Sequence, residues 1–205
     1  MIQLILIKIF YIIIITLFLI GLITPMIIIK KKGVDPHGTH KGYSLLTRLT
    51  PISIFSWLIY IIVFLILDIK ILNFLVFNFL TSDIFKIIGQ IIISLGLILD
   101  LWGTVALGVN FRIELPKEKT KLITTGIYRL MRNPIVMGVF LLVFGSFLII
   151  PDLFSFIFLV ANIITFDSKV RDEEKFLIKK FGEEFEGYSR KVGRYLPFRI
   201  IKKKI

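Results

Sequence analysis

Residues 9–29 read IFYIIIITLFLIGLITPMIII, a run with no charged side chain. A bilayer's hydrocarbon core, ~30 Å thick, takes ~20 helical residues to cross. The stretch therefore predicts a membrane-spanning helix, with Lys8 just ahead of it. A removed signal peptide has a shorter apolar centre and a small-x-small cleavage site. Leu22-Ile23-Thr24-Pro25 offers no such site, so the helix is expected to be retained.

The rest of the 205-residue chain repeats the theme, at 56% hydrophobic residues and a mean hydropathy of +0.88. Soluble domains do not carry so much apolar side chain without a surface to hide it on. A polar loop follows from Lys30 to Thr50. A second span is expected from Pro51, which suits a first helical turn, to about Leu67. Asp68 and Lys70 interrupt it. Ile71–Leu80 is apolar but too short to span alone; it could extend the second helix, lie in the interface or form a short hairpin. The third span is Ile84 to Val109. Two further runs, Ile135–Ile150 and Leu153–Phe166, meet at Pro151-Asp152 and predict a tight helical hairpin. The fold class is thus all-α: a polytopic membrane protein of about five spans with a helical tail. Residues 1–109 supply three spans, and 110–205 supply a loop, the hairpin and the tail, all within a single integral domain.

The net charge of +12 reads mainly as an orientation signal. Of 26 Lys and Arg, five lie in 30–50, six in 110–134 and twelve from 167 onward; only Lys8, Lys70 and Lys86 fall elsewhere. Five alternating spans put the three basic segments on one face. The positive-inside rule makes that face cytoplasmic and the N-terminus external. Lys202-Lys203-Lys204 adds attraction to anionic lipid. No aromatic-interleaved basic module accompanies the charge, so nucleic acid is not an expected partner. The absence of cysteine excludes disulfides, thiolate metal sites and cysteine nucleophiles. His37 and His40 share a Gly/Pro loop without a third ligand, which reads as a surface turn; no metal is expected.

Chemistry concentrates on the basic face. In Leu122-Ile123-Thr124-Thr125-Gly126-Ile127-Tyr128-Arg129-Leu130-Met131-Arg132-Asn133-Pro134, Gly126 can take positive φ and Pro134 can open a helix. Asn133 is placed as its N-cap. The unpaired N–H groups there form an anion site, with Arg129 and Arg132 nearby. A basic loop that anchors to headgroups explains the same charges equally well. The tail then gives Arg171-Asp172-Glu173-Glu174, Phe181-Gly182-Glu183-Glu184-Phe185, Tyr188, Arg194 and Leu196-Pro197. Helical ion pairs of Asp172 or Glu173 with Lys175 to Lys180 account for part of this pattern. They do not account for a glycine break followed by an aromatic-rich end.

Together, Leu122 to Arg129, Arg132-Asn133-Pro134-Ile135-Val136-Met137-Gly138, Glu173-Glu174-Lys175-Phe176-Leu177 and Phe181 to Tyr188 resemble the isoprenylcysteine carboxyl methyltransferase family and its relatives, the phospholipid methyltransferases. The likeness covers about 110 to 197. Two positions depart from the family pattern: Asn133 stands where it has His, and Val136 where it has Tyr. Asn keeps a hydrogen-bonding tip but cannot act as a base near neutral pH.

The resemblance implies transfer of a methyl group from S-adenosyl-L-methionine to a lipophilic substrate at the membrane surface. It places Thr120, Lys121, Leu122, Ile123, Tyr128, Asn133, Pro134, Ile135 and Val136 around the cofactor, with Glu173 facing the cofactor's ammonium. The substrate side falls to Lys169 and Arg171, which are not equivalent, because only Arg grips a carboxylate bidentately. Arg132 and Glu174 stand as the catalytic candidates. A carboxylate acceptor is already ionised and needs no base. An amine must first lose a proton, for which Glu174, its pKa raised by the membrane boundary, is the nearest candidate.

A carboxyl O-methyltransferase acting on a prenylated or other lipophilic acceptor is the favoured reading. A phospholipid N-methyltransferase, a sterol-type NADPH reductase and a non-catalytic membrane scaffold are the alternatives. Asp100, a carboxylate inside the third span, serves either a structural hydrogen bond, with Trp102 or Thr104 as candidates, or a function. Asn110-Phe111-Arg112 closes that span without assigned chemistry.

Overall fold

The computed structural model of the protein describes residues 2–33, 43–67, 75–108 and 121–197. His37, His40, Asp68, Lys70, Asn110-Phe111-Arg112, Thr120 and Lys202-Lys203-Lys204 lie outside them. The described residues form α1 (Ile2–Lys31), α2 (Leu45–Arg48), α3 (Thr50–Ile66), α4 (Asp83–Leu107), α5 (Pro134–Ile149), α6 (Leu153–Phe181) and α7 (Glu183–Lys191). No β-strand occurs among them, only two isolated bridges. The chain is an all-α polytopic membrane protein.

Four segments are long and apolar enough to cross a bilayer: α1, Leu45–Ile66, α4 and α6. Their outward faces are lined with large apolar side chains, including Ile12, Ile59, Ile91 and Ile164. Such faces suit contact with lipid. α5 differs. It has 16 residues, ~24 Å at 1.5 Å per residue, and buries side chains around most of its circumference. It can be short because protein, rather than lipid, surrounds it.

α4 against α5 is the most extensive helix contact. Glycines set its closeness. A methyl group built on Gly138 would lie 2.6 Å from the Gly96 carbonyl oxygen and 2.8 Å from the Asp100 nitrogen. One on Gly145 would lie 2.6 Å from the Gly89 carbonyl. Small residues that let backbones touch are a standard means of helix association in lipid, where hydrophobic burial supplies no net drive. α3 and α6 are joined differently, by polar groups. The Ser53 and Thr165 hydroxyls lie 2.8 Å apart, Thr50 Oγ1 donates to the Thr165 carbonyl at 3.2 Å, and fully buried Asn162 bonds Ser53.

The hairpin expected at Pro151-Asp152 is present. Asp152 caps α6 by accepting from Ser155 N at 2.8 Å, and Ser155 returns the bond in a capping box. Tyr60 on α3 also donates to this carboxylate. The part of Ile71–Leu80 that is described does not extend α3, which ends at Ile66. It folds onto the hairpin turn, with Phe77 N donating to the Pro151 carbonyl at 2.8 Å.

One expectation needs correction. The last apolar run ends at Phe166, but the helix does not: α6 continues unbroken to Phe181. Polar residues replace apolar ones there without any helix breaker until Gly182, whose φ of +52° ends it. Glu173 and Glu174 therefore stand on a rigid extension of a membrane helix rather than on a separate tail element.

Candidate active site

The loop before α5 is fixed first. Gly126 takes φ +60°, which starts a 3-10 turn over Gly126–Arg129 and buries Ile127 and Tyr128. The chain then runs beside the end of the tail. Arg132 N donates to the Gly193 carbonyl at 2.9 Å and Asn133 N to the Arg194 carbonyl at 3.0 Å. Asn133 is the N-cap residue of α5 by position, but its side chain makes no cap bond. Its Nδ2 donates to the Arg194 carbonyl at 3.3 Å instead. The expected cap thus serves as a tie to the tail, because the tail's carbonyl is the acceptor close at hand.

Arg132 and Glu174 meet, and they do so inside a larger clamp. Arg132 donates to Glu174 Oε1 through NH2 at 2.7 Å and through Nε at 3.1 Å. Its NH1 reaches the carbonyls of Ser189 at 2.7 Å and Val192 at 2.9 Å. Arg194 grips the same carboxylate from the other side, with NH2 to Oε2 at 2.6 Å and Nε to Oε1 at 3.1 Å. That bond, the largest influence on the Arg194 guanidinium, raises its pKa further. Both oxygens of Glu174 are thus engaged by guanidinium groups, an arrangement suited to holding loop, helix and tail in register. Tyr188 completes it by donating to the Tyr128 carbonyl at 2.6 Å; burial pushes its hydroxyl up to about 12.

Glu173, one residue earlier, faces a different space. Its Oε1 lies 3.7 Å from Lys169 Nζ and accepts a long bond of 3.4 Å from the Tyr43 hydroxyl. Its charge also acts on Tyr128. Burial is the main reason the Tyr128 phenol ionises less readily than usual, and Tyr188, Glu173 and Asp100 each push in the same direction. The phenol donates toward the Gly103 carbonyl at 3.4 Å. Beneath it, Pro134 and Val136 are buried and Ile135 half-buried at the start of α5. Leu122 and Ile123 are half-buried, and Lys121 is exposed. Arg171 points outward, 61% exposed, and pairs with Asp167 at 2.6 Å.

Sequence reasoning missed one wall and one strut. The wall is the start of the second membrane segment, where Asp172 Oδ2 accepts from Ser44 N at 2.8 Å and Thr47 Oγ1 at 2.7 Å. This carries buried Tyr43 against Glu173. The only local signal was Ser44, an N-cap residue ahead of Leu45. The strut is Tyr195, whose hydroxyl donates to Asp167 at 2.8 Å and whose ring packs on Phe140. Of the helical pairs foreseen, Asp172–Lys175 forms at 3.1 Å, whereas Glu173 pairs backward with Lys169. No cluster of three or more metal-ligating side chains occurs among the described residues.

The family model of phospholipid methyltransferases matches residues 84–184, from the start of α4 to the start of α7. Over these residues the chain is similar to that family. A probable protein-S-isoprenylcysteine O-methyltransferase of Oryza sativa subsp. indica is 33% identical over 116 residues, covering 54% of this chain and 60% of the relative. The protein-S-isoprenylcysteine O-methyltransferase of Saccharomyces cerevisiae is 29% identical over 139 residues, 66% of this chain and 56% of its own. That of Xenopus laevis is 29% identical over 117 residues, 55% and 41%. The chain thus spans about 40–60% of the length of these curated relatives. Arg132 and Glu174 of the clamp, and Tyr128, Lys169 and Glu173 beside it, fall inside the family match; Tyr43, Tyr188, Ser189, Val192 and Arg194 lie outside it.

Proposed function

We propose that the protein is an integral membrane methyltransferase that uses S-adenosyl-L-methionine to methylate a lipophilic acceptor, with a carboxylate favoured as the accepting group. The observation that carries this reading is the convergence of Glu173, Tyr128 and the start of α5 beside the Glu174 clamp, on residues that the family model matches.

The residues fit the donor's chemistry. Glu173 offers a carboxylate to its ammonium. The unpaired N–H groups of the first turn of α5 suit its carboxylate, as does the basic loop around Lys121. Leu122, Ile123, Tyr128, Asn133, Pro134, Ile135 and Val136 supply the enclosing surface, and Thr120 adjoins them in sequence. Bound there, the donor supplies a methyl group on a sulfonium for in-line displacement. The protein's part is to orient the two partners and exclude water. Lys169, half-buried one turn before Glu173, is better placed than exposed Arg171 to meet an acceptor's charge. Arg132 and Glu174 act as positioning residues that hold the loop.

The acceptor preference follows from Glu174. With both its oxygens held by arginines, it is not free to take a proton from an amine, and a carboxylate acceptor needs no base. Phospholipid N-methylation is the second reading, favoured by the family whose model matches. A cytoplasmic position for this site, where a water-soluble donor is available, is supported by the positive-inside distribution of Lys and Arg in the sequence.

Purified protein titrated by calorimetry with S-adenosyl-L-methionine and with NADPH tests the donor. Binding of the former alone is expected. Binding of NADPH alone would establish the reductase reading, and binding of neither would leave a scaffold. Transfer of a labelled methyl group to membrane extracts then identifies the acceptor; a base-labile ester is expected, and label in a phospholipid amine would establish the second reading.

A further inference from the structure

Asp100 is a carboxylate that the site described so far does not use. It lies in α4, 5% exposed, and no hydrogen bond to its side chain is present among the described residues. Neither Trp102 nor Thr104, the expected structural partners, bonds it. A carboxylate at membrane depth is costly and normally faces a partner or a cavity.

Its position is fixed by backbone contacts. Gly103, three residues nearer the cytoplasm on α4, abuts Pro134 and Ile135: a methyl group built on it would lie 3.0 Å from Pro134 Cγ and 2.7 Å from Ile135 Cγ1. Asp100 abuts Gly138, one turn further along α5, where an added methyl would lie 2.9 Å from Asp100 Cβ. Asp100 therefore sits ~4.5 Å deeper in the membrane than Gly103, directly below the turn that opens α5. The Tyr128 phenol, bonded toward the Gly103 carbonyl, is within electrostatic reach of both Asp100 and Glu173. Two carboxylates from different helices thus act on one phenol: Glu173 from α6, and Asp100 from one turn deeper on α4, where it packs against Gly138.

We infer that Asp100 is a donor-binding residue that faces the sulfonium, as Glu173 faces the ammonium. The inference rests on the methyltransferase reading above. A donor with its amino-acid end at Glu173 and its methyl directed to an acceptor arriving from the membrane carries its second positive charge on the deeper side of Tyr128. A buried carboxylate there attracts the sulfonium and has no such attraction for the neutral thioether left after transfer. The protein would bind its substrate more tightly than its spent product, which favours turnover.

The test compares wild type, Asp100→Asn and Thr104→Val, each titrated with S-adenosylmethionine and with S-adenosylhomocysteine. Thr104 is a buried polar residue one turn away on the same helix. Asp100→Asn is expected to weaken S-adenosylmethionine roughly tenfold, as loss of a buried charge pair does, and S-adenosylhomocysteine less than about twofold. Thr104→Val should leave the ratio of the two affinities unchanged. Retained binding of the thioether reports in the same sample that Asp100→Asn is folded. If Asp100→Asn weakens both ligands alike, or neither, Asp100 has a structural role and the inference fails while the methyltransferase reading stands. If wild type binds neither ligand, the methyltransferase reading itself falls, and this inference with it.

Discussion

Adjacent glutamates on one helix have acquired opposite tasks through their surroundings. Glu174 is 13% exposed as a side chain and saturated by Arg132 and Arg194, whereas Glu173, 29% exposed, has only Lys169 at 3.7 Å and a long bond from Tyr43. The weakly held group is the one available to a ligand. Glu173→Ala is expected to abolish S-adenosylmethionine binding while the protein stays inserted and folded; calorimetry beside a thermal melt checks this, and normal binding would overturn the assignment. Glu174→Gln should behave in the opposite order. It leaves Arg132 without its counter-charge and Arg194 with Asp167 alone, at 3.8 Å, and should destabilise the clamp by about 3 kcal/mol. Trypsin cleavage at Lys191 and Arg194 in the folded protein is its readout, and unchanged protection would show that the clamp is dispensable.

At the scale of elements, the sequence announced what is periodic or local and hid what is long-range. The apolar runs gave the membrane helices, Gly126 marked the turn before α5, Gly182 the end of α6, and Pro151-Asp152 the hairpin. The continuation of α6 past Phe166 was concealed because hydropathy changes there while helix propensity does not. Tyr43 and Thr47 were concealed more deeply: their partners Glu173 and Asp172 lie 130 and 125 residues away, and no local pattern encodes such a pairing. The glycines of α4 and α5 were present as composition without a reason, which packing supplies. Gly138→Ala would push a methyl against the Gly96 carbonyl and the Asp100 nitrogen, backbone atoms that cannot rotate aside. A loss of about 1–3 kcal/mol is expected in thermal unfolding, as for overpacked cores. Gly187→Ala in α7 meets nothing within 4 Å and should gain about 0.5–1 kcal/mol from helix propensity. Equal effects from the two would show that the α4–α5 contact does not set stability.

For the whole molecule, the described basic residues Arg132, Lys169, Lys175 and Arg194 lie beside Glu173 and Glu174 towards the Lys180 end of α6, and the positive-inside rule predicts that this end faces the cytoplasm. α6 spans 29 residues, ~44 Å at 1.5 Å per residue, so its Asp152 end and its Lys180 end lie beyond opposite faces of a ~30 Å core. The Phe77–Pro151 bond holds residues 75–80 at the Asp152 end. Because the chain has no cysteine, single cysteines report position without background. Phe79→Cys, at a residue 75% exposed, and Lys180→Cys, also exposed, sample the two ends. A membrane-impermeant maleimide added to intact cells should label Phe79→Cys, and Lys180→Cys only after permeabilisation. The reverse pattern would put Glu173 and Tyr128 outside the cell, away from the cytoplasmic donor, and would remove the methyltransferase reading along with the topology.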